Sequence, residues 1–261
     1  MPLLTVANLT VNYGAKEILH KVSLTLAAGE TLGIIGESGS GKTTLLRTII
    51  GQLGYGGAVT EGVMQYKEQD LLSISAEHLR QLLGPEISML FQDSQSSLCQ
   101  IRQIKYLLYE AMSAHVSLTF AEAMARAEAI MRQIGLTDTA RILASYPFEL
   151  SGGMNQRVGL VFAMLLQPSL LLADEPTSAL DVTVQKQVMQ EMQLLQRTYH
   201  TAIIFATHNI ALASKCTDKL LVLKDGVVRE LGRTKEVFNH PQDSYTQELI
   251  AAVPRLRREH D

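Results

Sequence analysis

"TLGIIGESGSGKTT", Thr31 to Thr44, is the stretch from which the rest of the chain is read. Its opening, "TLGIIG", has the composition of a short buried strand, and "ESGSGKTTLLRTII" turns helix-forming as it proceeds. Between them "GESGSGKTT", Gly36 to Thr44, matches G-x-x-x-x-G-K-[ST] after a strand and before a helix, the context that pattern needs. Glycines at 36, 39 and 41 let backbone N–H groups converge on phosphate oxygens with no Cβ in the way. Lys42 can reach the β- and γ-phosphates, the Thr43 hydroxyl suits Mg²⁺, and the helix start adds positive potential. Gly36, Glu37, Ser38, Gly39, Ser40, Gly41, Lys42, Thr43 and Thr44 are therefore the candidate nucleotide contacts. A glycine-rich turn of structural use alone would need neither the lysine nor this flanking context.

Such a site calls for acids, and "LLLADEPTSALD", Leu170 to Asp181, supplies them. An apolar strand ending in Asp174 delivers a carboxylate to the floor of the site, where it can hold Mg²⁺ through water. Glu175 comes next, points differently, and can accept a proton from an attacking water. Gln92 ends the strand-like "ISMLFQ", and His208 ends "TAIIFATH". In doubly wound sheets ligands bind at the carboxyl ends of strands. The strand ends after Ile35, Phe91, Ala173 and Thr207 are therefore expected to converge on one crevice. Of the seven histidines, His208 alone sits at such a position.

Working outward, "LLTVANLTVNYG" and "KVSLTLAAGETLGIIG" show period-two patterning, predicting an antiparallel sheet edge. Residues from about Gln103 to Ile142 read almost wholly as helix; Thr119 caps and Gly135 ends one stretch. Strand and helix alternate again from "LSGGMNQRVGLVFAMLL" onward, with a hairpin at Lys224-Asp225-Gly226. "PQDSYTQELIAAVPRLRREHD" reads as a short helix followed by a basic, frayed end. The expected fold is α/β: a mostly parallel sheet flanked by helices, an N-terminal antiparallel part and an inserted helical subdomain. It forms one domain over 1–261, with a catalytic core of 1–92 and 151–261 and a helical subdomain of 93–150.

Composition narrows the function. Hydrophobic residues make up 46% of 261 and charged residues 19%, which rules out a disordered chain. A net charge of −3 gives no basic surface for nucleic acid. Cys99 and Cys216 match no metal spacing and read as unreactive thiols in a reducing compartment. "MPLLTVANLTV" lacks the features of a signal peptide. "LVFAMLLQPSLLLA" is broken by Gln167 and Pro168 and is too short to span a bilayer. A cytoplasmic location follows, with membrane association only through a partner.

One motif is left over. "LSGGMNQRVGL", Leu150 to Leu160, places a glycine pair at a helix start, where free N–H donors and the Ser151 hydroxyl suit an anion. A second phosphate site needs a second phosphate. The ordered set Tyr13, GESGSGKT, Gln92, LSGGMNQR, LLLADEP, SALD and His208 resembles the ATP-binding subunit of an ABC transporter over nearly the whole chain. The resemblance implies the P-loop NTPase fold of ABC ATPases, and hydrolysis of ATP with Mg²⁺. It implies that Tyr13 stacks on adenine, that Gln92 touches the Mg²⁺ or the attacking water, and that His208 contacts the γ-phosphate. It further implies that Ser178 to Asp181 line a subunit interface. Two such domains would face head to tail, so Ser151, Gly152 and Gly153 resemble a clamp for the γ-phosphate held by a partner chain.

Within the family, "GESGSGKTT", "SGGMNQRV", "DEPTSALDV" and "HPQDSYTQELIAAVP" look most like ATPases of oligopeptide, dipeptide and nickel importers. That branch implies a second, different ATPase subunit, two membrane permease subunits and an extracytoplasmic solute-binding protein. The expected place is the cytoplasmic face of the cell (inner) membrane, as a peripheral subunit importing a peptide, nickel or a metal chelate. Many relatives have prolines after the glutamine, where this chain reads "FQDSQSSLCQ" with Ser94, Cys99 and Gln100. Asn209 follows His208 where Asp is usual, and the cysteine-bearing C-terminal extension of many relatives does not follow Asp261. In the loop, Leu98 and Ile101 are the expected apolar anchors for a membrane subunit, Leu98 as an exposed contact, with Phe91 packed beneath. The alternative is an ABC-type ATPase of a soluble enzyme assembly, such as a phosphonate-degrading complex.

Overall fold

β1 (Leu4–Tyr13) and β2 (Lys16–Leu26) pair antiparallel, and their apolar residues face inward because side chains alternate along a strand. The computed structural model describes residues 1–178 and 180–253. β3 (Thr31–Ile35), buried at every residue, leaves that pair for a second sheet. The patterning of "KVSLTLAAGETLGIIG" predicted an antiparallel edge, and "TLGIIG" within it a buried strand leading to the phosphate loop; the chain divides the stretch between two sheets, with "TLGII" as β3 in the second. The division falls at a turn in which the Glu30 carboxylate accepts from the Ala27 N–H at 2.8 Å. α1 (Lys42–Ile49) follows the phosphate loop, and β4 (Gly57–Tyr66) with β5 (Gln69–Asp70) completes the first sheet in the order β2-β1-β4-β5. α2 (Ala76–Leu82) leads to β6 (Ile87–Leu90), which ends two residues before Gln92.

After a loop over 91–103 the regular elements before β7 are all helical: α3 (Ile104–Ser113), α4 (Phe120–Gln133), α5 (Thr139–Ala144), a 3-10 turn at Pro147–Glu149, and α6 (Gly152–Met164). The block read almost wholly as helix from about Gln103 to Ile142 holds α3, α4 and most of α5. Thr119 and Glu122 form a capping box that restarts the chain at α4, and the Asp138 carboxylate caps α5. β7 (Leu170–Asp174), α7 (Val182–Tyr199), β8 (Ala202–Thr207), α8 (Ile210–Cys216), β9 (Lys219–Lys224), β10 (Val227–Arg233), α9 (Thr234–Asn239) and α10 (Ser244–Ala251) complete the order. The basic end predicted after α10 lies outside the described residues.

The second sheet runs β10-β9-β3-β8-β7-β6, parallel except for β10. β10 returns on β9 through Asp225 (φ 48°) and Gly226 (φ 75°), the paired left-handed residues of a two-residue hairpin. Alternating strand residues feed two apolar clusters on opposite faces. Ile35, Leu171, Ile203, Phe205 and Leu220 pack with α3, α4, α6 and α7; Leu32, Ile34, Leu172, Ile204 and Leu221 pack with α1 and the first sheet. The strands thus form a shared wall, and the carboxyl ends of β3, β6, β7 and β8 open on one edge of it. Among the described residues no helix is long and apolar enough to cross a membrane.

Candidate nucleotide-binding site

At that edge lies a cavity of about 510 Å³ lined by phosphate-loop residues, Gln92, Glu175, Ser178 and His208, with Ile18 of β2. Gly36 opens the loop where a Cβ would stand 2.1 Å from the Leu223 carbonyl oxygen, so β9 itself demands glycine there. The buried Lys42 ammonium donates to the Gly36 carbonyl at 2.7 Å and the Glu37 carbonyl at 2.9 Å, and lies 3.7 Å from Glu175 Oε1. Burial pulls its pKa below the usual lysine range, and the Glu175 and Asp174 carboxylates oppose that shift.

Thr43 Oγ1 donates to Asp174 Oδ1 at 3.0 Å. Burial raises the Asp174 carboxyl above the ordinary aspartate value, and the Thr43 bond pulls the other way. A hydroxyl and a buried carboxylate side by side are hard oxygen donors, a set that fits Mg²⁺. Glu175 has a left-handed backbone, φ 46°, with its N–H donating to the Ala206 carbonyl at 2.9 Å. This conformation is uncommon for a residue bearing a Cβ and concentrates at functional sites. The turn directs the carboxylate back into the cavity, where Oε2 lies 2.8 Å from His208 Nδ1. Gln92 Nε2 donates to Ser178 Oγ at 3.2 Å, and that hydroxyl donates to the Glu175 carbonyl at 3.1 Å.

Other predicted residues lie elsewhere. Tyr13 does not line the cavity: its hydroxyl donates to the Leu53 carbonyl and its ring lies against Gly57. Glu37 and Ser40 shape the loop from behind; the Ser40 carbonyl accepts from the Gly226 N–H at 3.0 Å. Ser151 caps α6, its hydroxyl accepting from the Met154 N–H at 3.3 Å. Ser151 and Gly152 are exposed, Gly153 is half-buried against Val184, and none of the three lines the Lys42 cavity. A Cβ on Gly152 would meet nothing within 4 Å, so this helix start is open to approach.

The loop after Gln92 differs from expectation. Phe91 is 39% and Ile101 84% exposed, whereas Leu98 is half-buried against the helical cluster. Gln100 Nε2 donates to the carbonyls of Gln95 and Leu98 and folds the loop over Leu98. Phe91 was expected beneath this loop, but β6 has already ended at Leu90 and releases it. Sequence reading also missed Ile18 and Tyr245. Tyr245 Oη accepts from the Glu37 N–H at 3.3 Å, and Lys224 Nζ sits 4.3 Å from the Tyr245 ring centre. "DSYT" carried a helix cap that was legible, but nothing in its pattern pointed to the phosphate loop.

A family model described as "ABC transporter" matches residues 19–178. The chain is an ABC transporter ATP-binding domain. This ATP-binding domain is 36% identical over 260 residues to the dipeptide transport ATP-binding protein DppD of Haemophilus influenzae, covering 98% of this chain and 79% of that protein. It is 37% identical over 261 residues to the oligopeptide transport ATP-binding protein OppD of Salmonella typhimurium, covering 98% and 78%. Among solved structures it is similar to a dimeric ATP-binding cassette in a post-hydrolysis state bound to ADP and phosphate. There the TM-score is 0.77 and the identity 27%, over 88% of this chain and 98% of the other. CbiO1 of Clostridium perfringens, part of the CbiONQ transporter complex, shares the fold with a TM-score of 0.79 at 24% identity, over 97% and 96% of the two chains. The ATP-binding domain is an ATPase.

Proposed function

We propose that this ATPase powers a peptide importer as one half of a head-to-tail pair with a second, different ATPase subunit. One observation carries the reading: Lys42, Gln92, Glu175 and His208 share a cavity, while Ser151 and Gly152 stand exposed outside it. A serine and a glycine at a helix start open to approach suit a phosphate held by another chain. Peptide is preferred to nickel or a metal chelate because DppD and OppD are named for dipeptide and oligopeptide transport. Two membrane permease subunits and an extracytoplasmic binding protein complete the assembly, with this chain peripheral on the cytoplasmic face of the cell (inner) membrane.

Phosphate oxygens of ATP take the loop N–H groups and the Lys42 ammonium, which already faces the cavity. Thr43, Asp174 and Gln92 would hold Mg²⁺, which when bound neutralises charge on the phosphates. Glu175 accepts the proton of the attacking water, and His208 beside it orients that carboxylate and contacts the γ-phosphate. Lys42→Ala should abolish tight ATP binding, measured by nucleotide titration of the chain. Affinity purification of the chain from a membrane extract should recover permease subunits. Recovery of a soluble enzyme core instead would overturn the transport reading while leaving the ATPase chemistry intact.

A further inference from the structure

The geometry points to Gln156 and Gly159, both on α6, as positioning residues that fix the segment carrying Gln92. Gln156 is 4% exposed and its Nε2 donates to the Phe91 carbonyl at 3.3 Å. Three residues on, Ser94 is 2% exposed and packs against Gly159; a Cβ there would stand 2.3 Å from Ser94 Oγ and 2.7 Å from Ser94 Cβ. The two contacts bracket Gln92 on either side. On another side, residues 92–95 border a cavity of about 220 Å³ shared with Asn155 and Leu180. β6 pairing has stopped at Leu90. The helix that begins at the exposed Ser151 and Gly152 therefore holds the chain on either side of Gln92, whose amide reaches Ser178 and, through it, the Glu175 carbonyl. A shift of α6 is passed to the Lys42 cavity by direct contact. The functional arm of this inference rests on the proposed role of Gln92 toward Mg²⁺.

The full chain contains no tryptophan, so Phe91→Trp places a single emission reporter on the segment. In that background Gly159→Ala must push Ser94 away. Adding Ser94→Gly removes both clashing atoms and leaves Leu90 Cδ1, at 3.2 Å, as the next neighbour of that Cβ. Gln156→Met keeps the side chain's length but loses the donor. Acrylamide quenching of the reporter should change by about twofold in Gly159→Ala and in Gln156→Met, and return to the parent value in Gly159→Ala/Ser94→Gly, as coupled neighbours require. The preference for MgATP over metal-free ATP should fall roughly three- to tenfold in both single variants, with metal-free affinity held and the preference restored in the double variant. Unchanged quenching in both single variants, or no return with Ser94→Gly, overturns the inference. A changed reporter with an unchanged metal preference also overturns it, provided Gln92→Ala lowers that preference. If Gln92→Ala leaves the preference intact, the role of Gln92 fails separately, and the quenching series alone decides whether α6 fixes the segment.

Discussion

The Thr43 hydroxyl donates to the Asp174 carboxylate across 3.0 Å, so two groups proposed to hold Mg²⁺ are already bonded to each other. Burial raises the Asp174 pKa above its unfolded value. A carboxyl shifted that way costs native stability at pH above its folded pKa, and the cost disappears as pH falls through that value toward the unfolded one. Asp174→Asn should therefore raise the nucleotide-free Tm at neutral pH by a few degrees, the size expected for on the order of 1 kcal/mol in a chain this long. The gain should vanish in acid, and Mg²⁺ should no longer add to the stabilisation by ATP. Thermal unfolding across pH, with and without MgATP, tests all three; equal neutral-pH Tm values would mean that the buried charge costs nothing.

Glu175 stands between Lys42 and His208, with carboxylate oxygens 3.7 Å and 2.8 Å from their nitrogens. Glu175→Gln should keep ATP binding and lower turnover of the assembled complex by about 10²–10⁴-fold, the range for losing a general base. Single-turnover hydrolysis at saturating MgATP is the measurement. A wild-type rate would take the proton-accepting role away from this residue.

Arg157 Nη2 lies 2.7 Å from Glu191 Oε1, both nearly buried, and the same nitrogen donates to the Ile134 carbonyl. This pair joins α6 to α7 and to the end of α4. Arg157→Met alone strands a buried carboxylate and should cost about 3–5 kcal/mol in denaturant unfolding. Arg157→Met with Glu191→Leu should recover most of that loss. If the double variant is as unstable as the single one, the cost is packing and not the unpaired charge.

Ile101 and Leu98 should part company. Ile101→Asp, at an 84% exposed side chain, should leave Tm within about 1 °C, since surface changes stay within about ±0.5 kcal/mol. In pull-downs it should weaken recovery of permease subunits. Leu98→Asp places a charge against the helical cluster and should lower Tm by several degrees. The reverse assignment would follow if Leu98→Asp were stable and assembly-deficient.

Tyr245→Phe removes the hydroxyl that accepts from the Glu37 N–H while keeping the ring beneath Lys224. The expected effect is a two- to tenfold weaker ATP affinity, corresponding to about 0.5–1.5 kcal/mol for one hydrogen bond. Unfolding should change little. Titration of the full chain with ATP reads it directly, and an unaltered affinity would make α10 a bystander to the loop.

The phosphate loop, the two acids, Gln92 and His208 were legible because a strand's end and its next residue are neighbours in sequence and in space. The signals of α7, Val182–Tyr199, are of the same local kind: its Asp181 cap and its amphipathic period both lie within the stretch. What escaped sequence reading was non-local. Ile18 reaches the cavity because β2, a strand of the other sheet, packs against α1 and the phosphate loop, and Tyr245 reaches Glu37 from 208 residues away. The split of "KVSLTLAAGETLGIIG" was legible only through the phosphate-loop context of "TLGIIG", because period-two alternation says strand, but not which partner. Leu98 and Phe91 were misplaced because a loop's fold depends on side-chain-to-backbone bonds such as those of Gln100, which leave no periodic trace.

Lys42 holds two carbonyls of its own loop, and this sets what the site can tell apart. Its ammonium is already partnered, so an arriving anion gains only the difference between its own contact and those it displaces or shares. Chloride, or any ion with one point of attachment, has little to offer against that competition. A polyphosphate that engages several loop N–H groups at once recovers the loss many times over. The loop therefore selects by denticity more than by charge, and simple anions should make poor competitors for ATP.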